Sequence, residues 1–319
     1  MSNQFTHLHL HTQYSLRDAI TEPEALMKKC SDYGMKAVAV TDHGNLMGAW
    51  ECAKYAKKYG VKYIPGNEVY VVPDTKTCRG ADWGRGKSGH LVLVAYNQRG
   101  WENLLTLTTR SNLEGFYNEP RIDYKMLRQH KDGLFVHSAC LGGVTAKAYF
   151  AGQSIHLVAE MYKEIFGDKF SLEIQLNNRP EQLLYNDALI KVAKDTGIPL
   201  ITTVDSHYLD KADSHKQDLI FCLGMDKLLN DPNRHRYPPE AHSVETPDEV
   251  YSKFVKQYGE IGRLAIARTT QISDACEAIV ETETKNYKIP SVSIADAEDY
   301  QEYIQWKKNL IEESNVKAK

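Results

Sequence analysis

The chain has 319 residues, enough for one large α/β domain or a domain with a smaller appendage. Apolar residues make up 42% and charged residues 25%, an ordinary globular composition, and a formal net charge of −3 excludes a globally basic nucleic-acid binder. Any polyanion site must therefore be a local patch. The opening MSNQFTHLHLHT lacks a basic region followed by an apolar run, and no stretch of about 18 apolar residues occurs, so neither a signal peptide nor a membrane partner is expected and the location read is cytoplasmic. None of the six cysteines forms a CxxC pair, which fits free thiols in a reducing compartment.

Short β-like runs alternate with helical patterns along the chain. Phe5–Leu10 reads as a first strand. Thr21 with Glu24 forms a capping-box signature, Pro23 sits near the first turn, and Leu26, Cys30 and Tyr33 continue a helix that Gly34 ends. Lys36–Thr41 is a buried strand, and Leu46, Trp50 and Ala53 line one face of the next helix, which stops at Gly60. Strands follow at Lys62–Val72, His90–Ala95, Leu134–His137, Phe170–Leu176 and Leu200–Val204, the last two flanking a helix that opens near Pro180. Alternation of this kind predicts parallel βαβ units. Without a glycine-rich dinucleotide fingerprint, a barrel is favoured over an open sheet.

The last hundred residues differ. Ser214–Cys222, Pro247–Gln257 and Gly259–Ala278 read as helices with no strand between them, and KNYKIPSVSI reads as an extended connector before a final weak helix. The expected organisation is one domain over 1–280, with its barrel core over about 1–212 and a helical part over 213–280, and a polar tail over 281–319.

Residues that metals prefer gather at the predicted strand ends, where a barrel places its active site. His9 and His11 alternate on the first strand and so share a face, with Asp18 in the following loop. Asp42 and His43 end the second strand, Glu68 lies within the third, and His90 opens the fourth. Cys140 follows LFVHS, and Asp205 and His207 alternate at the end of ITTVDSH. A lone histidine is usually a core or surface residue, but this density at strand ends is hard to obtain otherwise. The mixture of nitrogen, carboxylate and thiolate donors suits zinc, manganese or iron, and the count exceeds the needs of one ion.

The pattern HLHLHT, TDHG, GNE and DSH, with His90 and Cys140 between, resembles the polymerase-and-histidinol-phosphatase (PHP) family. FTHLHLHTQYSLRD, AVTDHGNLMGAWE, GHLVLVAYNQRGWENLL, GFYNEPRIDYKML and LGMDKLLNDPNRHRY are similar to the amino-terminal PHP domains of bacterial replicative DNA polymerase III alpha subunits, over roughly residues 4–280. That resemblance implies a distorted seven-stranded (β/α) barrel holding three divalent ions. It implies one ion on His9, His11, Glu68 and Asp205, a second on Glu68, His90 and Cys140, and a third on Asp18, His43 and His207. Ala19 stands where the family often has glycine, and His7 is an extra histidine expected just behind the ligands.

The resemblance further implies a phosphoesterase. The reading is a 3′–5′ exonuclease acting on single-stranded DNA or 3′ ends, with His11, Glu68 and Asp205 in the catalytic machinery and Asp42 orienting a ligand. Because the sequence ends at Lys319, before any palm domain, no polymerase activity is expected, although a polymerase or another replication protein is an expected partner. A small-molecule phosphatase and a non-catalytic replication module are the alternatives. The loop RGADWGRGKSGH offers Arg79, Arg85 and Lys87 as phosphate contacts and Trp83 as a base-stacking group, with Asn118, Arg121 and Arg179 as weaker candidates.

Overall fold

The computed structural model describes residues 4–83, 86–282 and 298–317. Strands are β1 (Ala37–Val40), β2 (Lys62–Val72), β3 (Gly89–Ala95), β4 (Arg121–Asp123), β5 (Leu134–His137), β6 (Phe170–Gln175) and β7 (Leu200–Thr203). Helices are α1 (Pro23–Asp32), α2 (Ala49–Tyr59), α3 (Gln98–Leu113), α4 (Tyr124–Gln129), α5 (Val144–Phe150), α6 (Ile155–Phe166), α7 (Pro180–Thr196), α8 (Ser214–Met225), α9 (Pro247–Tyr258), α10 (Glu260–Ala275) and α11 (Glu298–Lys317). Two compact units are distinguished: Met1–Thr282, which carries all seven strands, and Glu283–Lys319, whose described part is α11. The connector expected at 285–294 lies outside the described residues.

The sheet runs β1-β2-β3-β5-β6-β7 and curls into a half-barrel, with β4 added beside β2. Its long strand is β2, which pairs with β1 at Lys62–Pro65, bridges to His43 at Glu68 and pairs with β4 at Tyr70–Val72. The expectation of a wholly parallel sheet is corrected at β3, which is antiparallel to both β2 and β5. Among the described residues only the single 3-10 turn Ala81–Trp83 lies between β2 and β3, so the chain returns without the crossover helix that a parallel neighbour needs. This reversal explains why His90 opens its strand whereas the other ligand candidates end theirs: the start of β3 lies beside the C-terminal half of β2.

Phe5–Leu10 does not form the expected strand. The segment is extended and spans the gap between the two sheet ends: Ala39 and Thr41 donate to His7 and Leu10 carbonyls, and His11 donates to Ser206 O, each at 2.8 Å. The ladder is interrupted because the Thr41 hydroxyl, rather than a backbone carbonyl, accepts from Leu10 N. The Thr21 capping box is also absent. Pro23 fixes the first helical position, Glu22 becomes the N-cap, and the Glu24 carboxylate turns to Lys58 and Tyr59. In α2 the buried face is Ala49, Cys52 and Ala56, while Trp50 is half exposed, so the predicted stripe is rotated. The true capping box lies at α9, where Thr246 and Glu249 satisfy each other's backbone N–H beside Pro247.

Three apolar clusters hold these layers. The largest packs the outer face of β2, β3, β5 and β6 against α3, α6 and α7. A second joins β1 to α1 and α2 through Leu26, Met27, Val38 and Cys52. The third fills the barrel interior with Leu8, Ala39, Ile64, Val92, Phe135 and Ile201, and Ile272 of α10 plugs it. Burying a side chain of this size is worth about 1.5–3 kcal/mol. The barrel interior thus changes from this apolar plug to a polar region lined in part by Ser171, Glu173 and Gln175 of β6, and the polar region carries the site.

Candidate metal centre

Each ligand candidate is positioned by a different element end, and they converge on Glu68. Its Oε2 lies 2.9 Å from His43 Nδ1 and 3.3 Å from His11 Nε2, and its Oε1 lies 3.0 Å from His90 Nδ1 and 3.4 Å from His9 Nε2. Asp205 Oδ1 stands 3.2 Å from His9 Nε2 and 3.3 Å from His11 Nε2. On the other side, Asp18 Oδ2 lies 2.9 Å from His43 Nε2 and 3.4 Å from His207 Nε2. Cys140 Sγ is 3.8 Å from Glu68 Oε1 and 4.0 Å from His90 Nδ1. All nine predicted ligands are therefore brought to one place.

The backbone is strained to achieve this. Asp205 has φ +58° and Ala139, just before Cys140, has φ +64°, both in a region that non-glycine residues seldom occupy. Gly142 in the turn after Cys140 is needed for close approach, since a Cβ there would stand 3.0 Å from His90 Nδ1.

Three imidazoles are oriented alike. The Nδ1 atoms of His9, His11 and His207 lie 2.7 Å from Glu173 Oε1, 2.9 Å from Ser15 Oγ and 2.8 Å from Asp205 O. Their Nε2 atoms are buried with no hydrogen-bond partner, as are His43 Nδ1, Glu68 Oε2, Asp18 Oδ1 and Asp205 Oδ1. Buried polar atoms left in this condition are costly unless something binds them. Four triads of candidate ligand atoms lie within 4.8 Å of one another: His11–His43–His207, His9–His11–Asp205, His43–Glu68–His90 and Asp205–His207–His242. The residues present fit divalent cations.

Electrostatics point the same way. Burial by itself would raise the Glu68, Asp18 and Asp205 carboxyls, yet the surrounding histidines hold them below the usual carboxylate range. Burial would lower His9, His43 and His207, but neighbouring acids (and, for His43, Tyr70) raise them. A cluster so poised for charge is the electrostatic signature of a functional site.

The remaining sequence candidates divide. The Asp42 carboxylate bonds no candidate ligand directly; it accepts from Thr12 N, Thr12 Oγ1 and Ser15 Oγ, each at 2.7 Å, and so reaches His11 through Ser15. His7 does not stand behind a ligand as expected: its Nε2 lies 2.9 Å from Glu245 O and its ring packs on Phe5. Arg79 bonds Thr75 O and covers Tyr117, Lys87 is exposed, and neither they nor Trp83 line the cleft above the cluster. Arg85 lies outside the described residues. Arg121 is buried and donates to Gly115 and Cys78 carbonyls, which removes it as a phosphate contact. Arg179 is the N-cap of α7 and ties down His235 and Arg236 O, whereas Asn118 does line the cleft.

The cleft has a volume of 810 Å³ and is walled by Tyr14, Arg17, Tyr70, Phe221, Lys227 and Tyr237, among others. Arg17 and Lys227 were missed in the sequence because they sit in loops without a metal-like pattern. Glu173 and His242 were also missed. The alternation of Ser171, Glu173 and Gln175 in FSLEIQ, polar residues on an inward strand face, is the signal that could have found Glu173.

A PHP-domain family profile matches residues 7–177. The DNA polymerase III subunit alpha of Aquifex aeolicus is 35% identical over 316 residues, which is 95% of this chain and 27% of the relative. That of Helicobacter pylori strain J99 is 37% identical over 299 residues, 89% of this chain and 24% of the relative. The chain thus spans about a quarter of the length of these relatives. Among solved structures, a candidate metal-dependent phosphoesterase of Bifidobacterium adolescentis is 16% identical with a TM-score of 0.42, covering 64% of this chain and 88% of its own.

Proposed function

Because the chain belongs to the PHP family, we propose that its histidine–carboxylate cluster is the active site of a metal-dependent phosphodiesterase that removes nucleotides from DNA 3′ ends. The observation that carries this reading is the convergence of four imidazoles on the one buried carboxylate of Glu68, with metal-facing atoms left unpartnered. On this reading His9, His11, Asp205 and Glu68 hold one ion, Glu68, His90 and Cys140 a second, and Asp18, His43 and His207 a third, the ions being zinc, manganese or iron. Divalent ions there would polarise a phosphoryl oxygen and lower the pKa of a water.

The chain's own residues supply the rest. Arg17 and Lys227, the latter ion-paired with Asp231 at 3.4 Å, bring cations to a cleft wall that also carries Asp18, Glu68, Glu119 and Asp205, so any hold on a nucleic-acid backbone there is local. Tyr237 packs 5.1 Å from the His207 ring and 4.9 Å from Phe221, screening one side of the cluster from water. The platform bearing Tyr237 is held by Arg234, whose guanidinium grips the Asp218 carboxylate with both terminal nitrogens at 2.5 Å. DNA is favoured as substrate by the cleft's size and by the polymerase-subunit identity of the relatives, which also points to a DNA polymerase or another replication protein as partner.

The test is incubation with 3′- and 5′-labelled single-stranded DNA, with manganese and with chelator, beside Asp205→Asn and His11→Ala variants. Metal-dependent stepwise loss from the 3′ end, abolished in both variants, is the expected result. A folded, metal-loaded protein that spares DNA but hydrolyses small phosphomonoesters would replace this reading with a small-molecule phosphatase. One that hydrolyses neither would leave a non-catalytic replication module.

A further inference from the structure

We infer that Glu173 is a positioning residue that fixes the His9 ring from beneath the metal centre. This rests on the reading of the cluster as a metal site, but concerns binding rather than turnover. Glu173 lies on β6 and is fully buried, and its Oε1 stands 2.7 Å from His9 Nδ1. The same oxygen accepts from Thr203 Oγ1 at 2.5 Å and from Gln175 Nε2 at 2.8 Å. Three donors therefore converge on one oxygen, an arrangement suited to a carboxylate and poorly suited to a neutral acceptor.

The convergence decides the His9 tautomer. With Thr203 and Gln175 already donating to Glu173, His9 presents Nδ1–H to the same anion, which leaves Nε2, on the opposite side, as the atom an ion would take. That Nε2 atom is buried, unpartnered and within 3.2–3.4 Å of Asp205 and Glu68 oxygens. Its counterparts His11 and His207 lean on a hydroxyl and a backbone carbonyl, so among these three rings His9 alone rests directly on a charged group. A carboxylate behind an imidazole orients it and increases its strength as a donor. Glu173 is itself held from both sides of the sheet. Its backbone N donates to Ser138 Oγ, and Gln175, one residue pair along β6, has its backbone N near Asn186 Oδ1 while Asn186 Nδ2 donates back to Gln175 O.

The test compares wild type with Glu173→Gln, Glu173→Ala and a surface control, Glu160→Gln, in the full chain. Manganese and zinc affinities are measured by competition with a chromogenic chelator, and bound metal is counted after dialysis. Histidine ring nitrogens are labelled with ¹⁵N and their long-range proton couplings recorded in zinc-loaded protein. Glu173→Gln is expected to weaken one class of metal site about 10–100-fold and to lose the single Nδ1–H pattern of His9, while the protein still unfolds cooperatively without metal. Glu173→Ala is expected to weaken the same class further, and Glu160→Gln to change nothing. Unchanged affinity and an unchanged His9 pattern in a folded Glu173→Gln would overturn the inference. A wild type that binds metal yet hydrolyses nothing would defeat the catalytic proposal and leave this one standing. A wild type that binds no metal would defeat both.

Discussion

Glu68 and His90 meet diagonally across the antiparallel pair of β2 and β3: Glu68 is in register with Val92 and His90 with Tyr70, and 3.0 Å separates Oε1 from Nδ1. The reversed strand thus delivers a ligand from its beginning to a carboxylate near the middle of its neighbour. His9, His11 and His43 approach the same carboxylate, and on the proposed reading Glu68 is the residue that two ions would share. Glu68→Gln keeps the shape and removes the charge. The expected outcome is loss of more than one bound ion per chain and a fall of at least about a hundredfold in metal-dependent hydrolysis. Elemental analysis of the dialysed variant checks it, and a loss confined to a single ion would show that the carboxylate does not bridge.

Cys140 and Cys222 separate ligand from packing. Cys140 Sγ faces Glu68 and His90 and accepts from Gly142 N at 3.4 Å, whereas Cys222 is a buried thiol of α8. Cys140→Ser is expected to lower metal content and activity about tenfold or more, since a hydroxyl is a poorer ligand for these ions. Cys222→Ser is expected to cost about 1–2 kcal/mol of stability through a buried hydroxyl and to leave metal content alone. Equal metal content in the two purified variants would remove Cys140 from the site.

A pH dependence follows from His137, which lies inside the barrel on β5 with both ring nitrogens unpartnered. Burial lowers its pKa from 6.5 to about 4. The unfolded chain therefore binds a proton between those values that the folded chain refuses. This group contributes no loss of stability above pH 6.5, and stability falls as pH drops from 6.5 towards 4, by up to about 1.4 kcal/mol per pH unit. Denaturant midpoints of metal-free protein across that range measure the slope, and His137→Asn is expected to flatten it. An unchanged slope in that variant would assign the acid sensitivity elsewhere.

Much of the site was legible because its residues obey two local rules. Candidate ligands came as alternating pairs, as in His9 and His11 or Asp205 and His207, and strand bounds such as Lys62–Val72 and Leu134–His137 followed from runs rich in valine, isoleucine and aromatic residues. What escaped depended on tertiary choices. The direction of β3 is set by a connection whose described residues carry only a 3-10 turn, and the three-residue β4 is too short to carry a period. Thr21 lost its capping role to Pro23 and Glu22, and the Phe5–Leu10 ladder was broken by a hydroxyl thirty-odd residues away. Glu173 was hidden because a single acid in an apolar strand looks like an exposed position until the opposite strand is known.

Asp42 was marked in the sequence only by its place before His43, and the structure gives it a definite task. Its carboxylate gathers Thr12 N, Thr12 Oγ1 and Ser15 Oγ, and Ser15 Oγ lies 2.9 Å from His11 Nδ1. Two of these donors share Oδ1, and the third takes Oδ2. Asp42→Asn removes the charge and turns one of the two acceptor atoms into a donor: with Nδ2 toward Thr12 N–H two donors face each other, and with Nδ2 toward the Thr12 hydroxyl that hydroxyl must turn from donating to accepting. The weakened or lost bonds cost about 1–3 kcal/mol, which thermal or denaturant unfolding will register. The same change frees Ser15 to rotate and loosens His11. Metal affinity is then expected to fall about tenfold, with kcat reduced more than KM because Asp42 lies outside the cleft lining. Ser15→Ala, which cuts the link while leaving Asp42 charged, is expected to reproduce the loss in metal affinity. A Ser15→Ala protein with wild-type metal affinity and kcat would show that Asp42 acts only as a structural anchor for the Thr12–Ser15 turn.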